Sequence, residues 1–180
     1  ILELLKYFIG VVIVLFIHLF VVYLPLVKLI AKVNIINFFS GLKQALLFAF
    51  STSSSSATIP ITLNNLEKSF NVKKKVSSFT VPLGATINMD GTAIMQGMAT
   101  IFIANFYGIE LIFTDFLTII LTAALASIGT AGVPGVGMIM LGMVLNQVGL
   151  PLEGIAIVMG VDRLLDMLRT SLNVAGDATV

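Results

Sequence analysis

Apolar runs alternate with short polar clusters along the sequence. Tyr7 to Val27 carries no charged residue when His18 is neutral, and about 20 apolar residues suffice to cross the hydrocarbon core of a bilayer as a helix. We therefore predict a transmembrane helix within residues 1–34. His18 lies in its middle, and a lone histidine there is more often a hydrogen-bonded packing residue than a proton relay.

Two shorter apolar arms, Phe38–Phe50 and Ile61–Leu66, enclose the polar run Ser51–Pro60. Neither arm is long enough to span a bilayer. Seven of the eight lysines collect around these arms, and positive charge favours the cytoplasmic side. This pattern predicts a re-entrant helical hairpin over residues 35–70, entered from the cytoplasm, with its second helix starting at Pro60. A flexible linker is the alternative reading of the serine run.

The next span, residues 76–108, is interrupted by Asn88-Met89-Asp90-Gly91-Thr92. Asn, Asp and Gly are poor helix formers, and a carboxylate at this depth needs a partner or a ligand. We therefore expect a broken helix, in which freed backbone carbonyls and the Asp90 carboxylate can surround a hard cation.

A second pair of short arms, Phe116–Ile128 and Val136–Leu150, is separated by Gly129–Gly135, which contains three glycines and a proline. Such a segment cannot continue a helix, and neither arm alone spans. Lysine and arginine are absent between residues 76 and 162. We expect a second re-entrant hairpin over residues 115–150, entered from the outer side, whose glycine-rich tip is a mobile gate.

The final segment, residues 151–180, carries a polar stripe. Its members are spaced four, three, four and four residues apart, so they share one face of a helix: Asp162, Asp166, Arg169, Asn173 and Asp177. A charge at the centre of a bilayer costs at least ~2.5 kcal/mol, so these groups need partners or a ligand. An internal ion pair between Asp166 and Arg169 is the structural alternative, and it accounts for two of the five groups.

Composition narrows the class of protein. The chain is 58% hydrophobic and 11% charged with a mean hydropathy of +1.08, which indicates a membrane protein. The absence of cysteine excludes disulfides and thiolate metal sites, and a single histidine excludes His-pair zinc motifs. The basic residues form no face interleaved with aromatic residues, so the sequence gives no indication of nucleic-acid binding. A start without Met suggests a fragment of a longer protein.

The two halves repeat with opposite orientation, each as a hairpin followed by a polar span. We predict an all-α membrane protein with an inverted repeat of re-entrant helical hairpin and broken transmembrane helix, an architecture typical of secondary transporters. Helix N-termini at the two tips favour an anion, whereas carbonyls and carboxylates favour cations.

Four blocks of the sequence are recognisable in this order: Ser53–Pro60, Gly84–Thr92, Ala126–Pro134 and Asp166–Asp177. Together they resemble the signature blocks of the glutamate transporter family, the dicarboxylate/amino acid:cation symporters. The resemblance implies a non-enzymatic, multi-pass protein of the cell membrane that carries acidic amino acids, aspartate or glutamate, with sodium. It also implies a homotrimer in which an elevator-type transport core, residues 35–180, moves against a scaffold to which residues 1–34 link.

By position, the resemblance places the substrate between the two tips and the last span. Arg169 resembles the residue that binds the side-chain carboxylate, a role that suits its bidentate guanidinium. Asp166 resembles the partner of the amino group, and Asn173 the ligand of the alpha-carboxylate. Further hydrogen bonds are implied from the side chains of Ser55, Thr92 and Thr170 and from the backbone amides of Ser56 and Gly132.

The resemblance also implies three sets of oxygen ligands for sodium, which oxygen-only cages suit. The first set joins the Asp177 carboxylate to the carbonyls of Gly84, Asn88 and Asn173. The second consists of the carbonyls of Thr86, Ser127, Ile128 and Thr130. The third joins the Asp90 carboxylate to the Asn88 side chain.

Three positions depart from the family pattern. Ser53 and Met167 stand where many members carry an extra arginine, and the sequence leaves open what replaces that charge. Gln96 stands where proton-countertransporting members have a glutamate, and glutamine does not titrate. This favours sodium coupling without proton coupling.

Other functions are less consistent with the residues. A C4-dicarboxylate (succinate, fumarate or malate) symporter is the alternative within the fold, but Asp166 would repel a substrate that lacks an ammonium group. Neutral amino acids would leave Arg169 buried and unpaired. A channel needs a continuous wet pore rather than two tips that meet. A serine hydrolase would need a general base, and we expect no orienting acid beside His18, which lies in another segment.

Overall fold

The computed structural model describes residues 2–179, so residues 1 and 180, the outer limits of the predicted segments, lie outside the described part. Within it, the regular elements are helical, which confirms the all-α prediction. In chain order the helices are α1 (Leu2–His18), α2 (Ile35–Thr52), α3 (Ser55–Phe70), α4 (Lys74–Ile87), α5 (Asp90–Phe106), α6 (Phe113–Ile128), α7 (Val136–Gln147) and α8 (Gly154–Asp177).

Helix α1 continues into two wider π-helical segments, Leu19–Tyr23 and Leu26–Ile30. Pro25 lies between them, and because proline has no N–H to donate, the regular α-helical ladder cannot run through this point. The whole stretch Leu2–Ile30 is long and apolar enough to cross a membrane, by length and composition. The π-helical region turns Tyr23 into the protein, where it is buried.

Helices α2 and α3 form an antiparallel pair, since Phe38 near the start of α2 lies 6.2 Å, ring to ring, from Phe70 at the end of α3. The residues between them, Ser53 and Ser54, are named the first tip. Ser54 caps α3 by accepting a hydrogen bond from the Ala57 amide, so α3 begins at Ser55 rather than at Pro60.

The predicted start at Pro60 was therefore wrong, because the serine cap starts the helix earlier. Helix α3 continues through Pro60, although proline removes one backbone hydrogen bond there. Helix α2 is also longer than the predicted arm. Its 18 residues are long and apolar enough to cross a membrane, so length alone does not distinguish a spanning helix from a re-entrant arm.

Two further interruptions lie within the predicted segments, the first of them shorter than predicted, because Asp90, Gly91 and Thr92 belong to α5. Helix α4 ends at Ile87 and α5 begins at Asp90, which leaves Asn88 and Met89 outside regular helix. Helix α6 ends at Ile128 and α7 begins at Val136. We call residues 129–135 the second tip. Its last residue, Gly135, has a φ of +81°, a conformation that glycine adopts without steric cost.

Helix α8 lies at the centre of the fold and contacts α1, α2, α3, α4, α5 and α7. Its apolar side packs into the main core, for example through Val158 and Leu165, which are fully buried with Met95 and Ile103 of α5. Its polar stripe is buried as well, so the charged face points into the protein. The outer surfaces expose many large apolar side chains, such as Ile13 and Ile120, as expected of a membrane protein.

Candidate functional site

A small polar cavity lies where the two tips meet α5 and α8. Its volume is about 20 Å³, which is room for about one water molecule. Seven of the eight residues predicted to bind substrate line this cavity, namely Ser55, Thr92, Gly132, Asp166, Arg169, Thr170 and Asn173. The structure thus brings together residues that lie more than 100 positions apart in sequence.

The eighth predicted residue, Ser56, closes the cavity instead of lining it. Its backbone amide donates to the carbonyl oxygen of Gly132 at 3.0 Å, and the Ser54 hydroxyl donates to the same oxygen at 2.8 Å. A Cβ atom on Gly132 would lie 2.8 Å from Ser56 Oγ, so only glycine permits this approach of the two tips. In this structure the Ser56 amide is therefore engaged between the tips.

Arg169 is the most buried charged group of the cavity, with 2% of its side chain exposed. Its Nη1 donates to Asp162 Oδ1 at 2.9 Å, and its Nε donates to Asp166 Oδ1 at 3.0 Å. The internal ion pair considered from the sequence therefore includes a second carboxylate. Asp162 was missed as a partner of Arg169, although their separation of seven residues places them on one helix face.

Asn173 connects α8 to the interruption between α4 and α5. Its Oδ1 accepts a 2.8 Å hydrogen bond from the Gly91 amide, and its Nδ2 donates to Met89 Sδ at 3.2 Å. A Cβ on Gly91 would lie 2.9 Å from the backbone oxygen of Arg169, so the glycine lets α5 start against α8. Met89 is a buried cavity residue that sequence reasoning did not identify, because nothing marks a methionine within an interruption as a partner.

The first predicted cation set is assembled around Asp177. The Asn88 side chain donates from Nδ2 to Asp177 Oδ1 at 2.9 Å and to the Asn173 carbonyl at 3.3 Å. A Cβ on Gly84 would lie 2.7 Å from Asp177 Oδ1, so α4 also meets the carboxylate. All four residues of this set are neighbours in the structure.

The third set, Asp90 with Asn88, has two partners that the sequence did not reveal. Asp90 Oδ2 lies 3.0 Å from His18 Nε2 and accepts a 2.9 Å hydrogen bond from the Tyr23 hydroxyl, which is also 3.3 Å from Asn88 Oδ1. His18 is hydrogen-bonded, as expected of a packing residue. Its partner, however, is a predicted cation ligand 72 residues away. The expectation that no acid lies beside His18 was therefore wrong, because sequence spacing could not indicate this contact.

The second set is placed at helix ends. Thr86 lies next to the end of α4, and the others lie at or just beyond the end of α6. Carbonyls at helix ends suit cations, but the Ser127 carbonyl here accepts a 3.0 Å hydrogen bond from the Thr130 amide. Helices α4 and α6 are in contact. The threonine and serine hydroxyls of this set donate within their own helical segments, to the carbonyls of Leu83, Ala124 and Ala126. Among residues 2–179, no group of three or more His, Cys, Asp or Glu side chains is arranged to hold a metal ion.

Two of the three residues that depart from the family pattern, Gln96 and Ser53, are buried and hydrogen-bonded. Gln96 is fully buried and donates from Nε2 to the Gly137 carbonyl at 3.2 Å, which links α5 to the first turn of α7. Ser53 is also buried, and its hydroxyl accepts a 3.0 Å hydrogen bond from Nη1 of Arg163 on α8. Arg163 was not identified from the sequence, because it lies outside the buried polar stripe.

Comparisons with known proteins identify the family of the chain. A model of the sodium:dicarboxylate symporter family matches residues 1–180. The chain is 47% identical over 176 residues to the human protein named excitatory amino acid transporter 1, covering 98% of this chain and 32% of that protein. It is 49% identical over 156 residues to an excitatory amino acid transporter of Caenorhabditis elegans, covering 86% of this chain and 31% of that protein.

Human excitatory amino acid transporter 2 is 44% identical over 158 residues, which cover 87% of this chain and 28% of that protein. The chain therefore spans about a third of the length of these relatives. The family match extends over every residue of the sequence, and the four recognisable blocks lie within it in order. The chain belongs to the sodium:dicarboxylate symporter family.

Proposed function

We propose that the protein is a sodium-coupled symporter of acidic amino acids, aspartate or glutamate. The observation that carries this proposal is the pairing of Arg169 with Asp166 in a cavity between two helix tips. The names of the relatives, which are excitatory amino acid transporters, support the same substrate class.

The charges of the cavity match an acidic amino acid. Its side-chain carboxylate would take one of the guanidinium positions of Arg169, which now serve Asp162 and Asp166. Asp166, released from Arg169, would pair with the substrate ammonium group. Each buried charge thus exchanges one partner for another, which avoids the large cost of an unpaired buried charge. Asn173 and the hydroxyls of Thr92 and Thr170 would donate hydrogen bonds to the alpha-carboxylate of the substrate.

The cavity must enlarge before an amino acid can enter, because it now has room for about one water molecule. We infer that the second tip opens. It contains no regular helix over residues 129–135. Its Gly132 carbonyl accepts one hydrogen bond from Ser54 of the first tip and one from the Ser56 amide in the first turn of α3. Opening and closing of this tip would alternate access to the substrate, with the helix pairs as re-entrant hairpins of an inverted repeat.

Sodium coupling follows from the same charges. An acidic amino acid adds negative charge to a region that already holds the carboxylates of Asp90 and Asp177, so cations must accompany it. We propose that sodium enters as a second cargo and binds the carboxylate and carbonyl sets described above. By the family resemblance we further propose a homotrimer in the cell membrane with an elevator-type movement of residues 35–180 against a scaffold.

A C4-dicarboxylate symporter is the second candidate, because the matching family model is described as a sodium:dicarboxylate symporter family. Such a substrate would satisfy Arg169 but would leave Asp166 without a cation. The two candidates therefore differ at one residue. Asp166→Asn is expected to weaken aspartate binding and to improve succinate binding.

Calorimetric titration of the intact purified protein tests the proposal. Aspartate is titrated in sodium chloride and in choline chloride of equal ionic strength, and succinate is titrated in sodium chloride. We expect aspartate to bind only in sodium and succinate to give no signal. Equal aspartate binding in choline would refute sodium coupling, and succinate binding at the same strength would move the protein to the dicarboxylate class. Arg169→Cys is expected to abolish aspartate binding.

A further inference from the structure

Arg163 makes a long-range contact that the proposed substrate site does not use. It lies on α8, next to Asp162, and its Nη1 donates to the hydroxyl of Ser53 in the first tip at 3.0 Å. The two residues are 110 positions apart in sequence. The ion pairs found within residues 2–179 involve Lys6, His18 and Arg169 but not Arg163. The hydroxyl of Ser53 is thus the partner to which this guanidinium is directed.

Ser53 is held in an uncommon backbone conformation. It has a φ of +52° and ends helix α2, and its residue is 2% exposed. A non-glycine residue in this region is strained and persists only where surrounding contacts hold it. The bond from Arg163 is such a contact, because it fixes the Ser53 side chain from outside the tip.

The hydrogen bond between Arg163 and Ser53 lies next to the contact that joins the two tips. Ser53 lines the cavity, and the adjacent residue, Ser54, donates its hydroxyl to the Gly132 carbonyl at 2.8 Å. A rotation of Ser53 away from α8 would therefore carry Ser54 away from the second tip. Arg163 itself does not line the cavity, so its route to the substrate passes through Ser53.

We propose that Arg163 is a positioning residue that anchors the first tip to α8 and thereby sets the substrate affinity of the cavity and the closure of the tips. The affinity part rests on the proposed function, since it takes the cavity to bind an acidic amino acid. The anchoring part does not depend on the identity of the substrate.

A double-mutant cycle tests the affinity part in the intact protein, by aspartate titration in sodium. Arg163→Gln and Ser53→Ala each remove one side of the hydrogen bond, and each is expected to weaken aspartate binding about fivefold, the size of effect that one such bond supports. The double variant is expected to be no weaker than either single variant. Arg163→Lys keeps a donor and the charge and is expected to retain most of the affinity.

Lys28→Gln is the matched control, because it removes one exposed positive charge far from the tips in sequence and is expected to leave binding unchanged. A loss of affinity in Arg163→Gln without a loss in Ser53→Ala would show that only the charge matters and would overturn the proposal. So would additive losses in the double variant.

A labelling experiment tests the anchoring part without substrate. The sequence contains no cysteine, so Ser55→Cys, at a cavity position that is 4% exposed, provides a single reporter once any cysteines outside these residues are replaced. Its reaction with a small thiol reagent measures how often the tips separate. Arg163→Gln is expected to accelerate labelling about fivefold, in line with the loss of one hydrogen bond, and Lys28→Gln is not.

An unchanged labelling rate would overturn the anchor even in a protein that binds aspartate. A wild-type protein that fails to bind aspartate in sodium would refute the proposed function and would leave the labelling result to decide the anchor.

Discussion

Removal of Arg169 should destabilise the protein more than removal of any other single charge in the site. In Arg169→Gln, two carboxylates lose their cation together, since the guanidinium contacts both Asp162 and Asp166. Their side chains are only 11% and 9% exposed, so water cannot replace the lost partner. Breaking a buried ion pair from one side typically costs about 3–5 kcal/mol of stability, and we expect Arg169→Gln to fall in this range.

A second substitution, Asp162→Asn, makes the prediction specific, because its effect on stability should have opposite signs with and without Arg169. Asp162→Asn in the wild-type background keeps an oxygen that can accept from Arg169 but removes the negative charge from the 2.9 Å hydrogen bond, and it should destabilise the protein by about 1 kcal/mol, the difference between a charge-assisted and a neutral bond. In the Arg169→Gln background the same substitution removes an uncompensated buried charge beside Asp166. There it should stabilise the protein, so its effect changes sign.

Thermal unfolding of the intact protein in one detergent, without substrate and at constant sodium, measures these effects, because bound ligands would shift Tm. Lys6→Gln is the matched control. Lys6 and Glu3 form an ion pair of the same sequence spacing as Asp166 and Arg169, but their side chains are 63% and 66% exposed. Its loss should change stability by at most about 1 kcal/mol. If Asp162→Asn lowers Tm equally in both backgrounds, the inferred pairing of Asp162 with Arg169 is wrong.

Three glycine substitutions test other close approaches. Gly84→Ala places a Cβ 2.7 Å from Asp177 Oδ1, so we expect a higher sodium concentration for half-maximal aspartate binding, and an unchanged sodium dependence would contradict the placement of this carboxylate. Gly154→Ala meets the side chain of Ile103 and should lower stability by about 1–3 kcal/mol through overpacking, measured as Tm. Gly160→Ala has no atom within 4 Å of the new Cβ and lies inside α8, so it should raise stability by about 0.5–1 kcal/mol; a loss of Tm would indicate a contact at this position.

The helix interruptions were largely predictable from the sequence, because glycine, proline and asparagine carry their backbone preferences with them. Gly129–Gly135 interrupts the chain between α6 and α7 as predicted, and Asn88 with Met89 separates α4 from α5. Pro60 was the exception. A proline predicts the start of a helix only when no better cap precedes it, and Ser54 supplies that cap through its bond to the Ala57 amide.

The candidate site was predictable where residues share one helix and less so where they meet across the fold. The stripe from Asp162 to Asp177 follows from spacing alone, and the family resemblance added the residues of the two tips. The partners of Asp90 could not be found in this way, because His18 and Tyr23 come from the first helix and nothing local marks them. Arg163 was missed for a related reason, since its partner, Ser53, is identified only by the packing of α2 against α8.

Under the proposed function, the buried charges explain why one helix can bind both substrate and cations. Asp162 and Asp166 share the guanidinium of Arg169, whereas Asp177 receives, among residues 2–179, only the amide donor of Asn88. This part of α8 is therefore short of positive charge, and an anionic substrate would increase that deficit. Cations that enter with the substrate remove it. The proposed coupling of substrate to sodium then follows from burial along α8, because neither the substrate carboxylates nor Asp177 can be enclosed alone without leaving negative charge uncompensated.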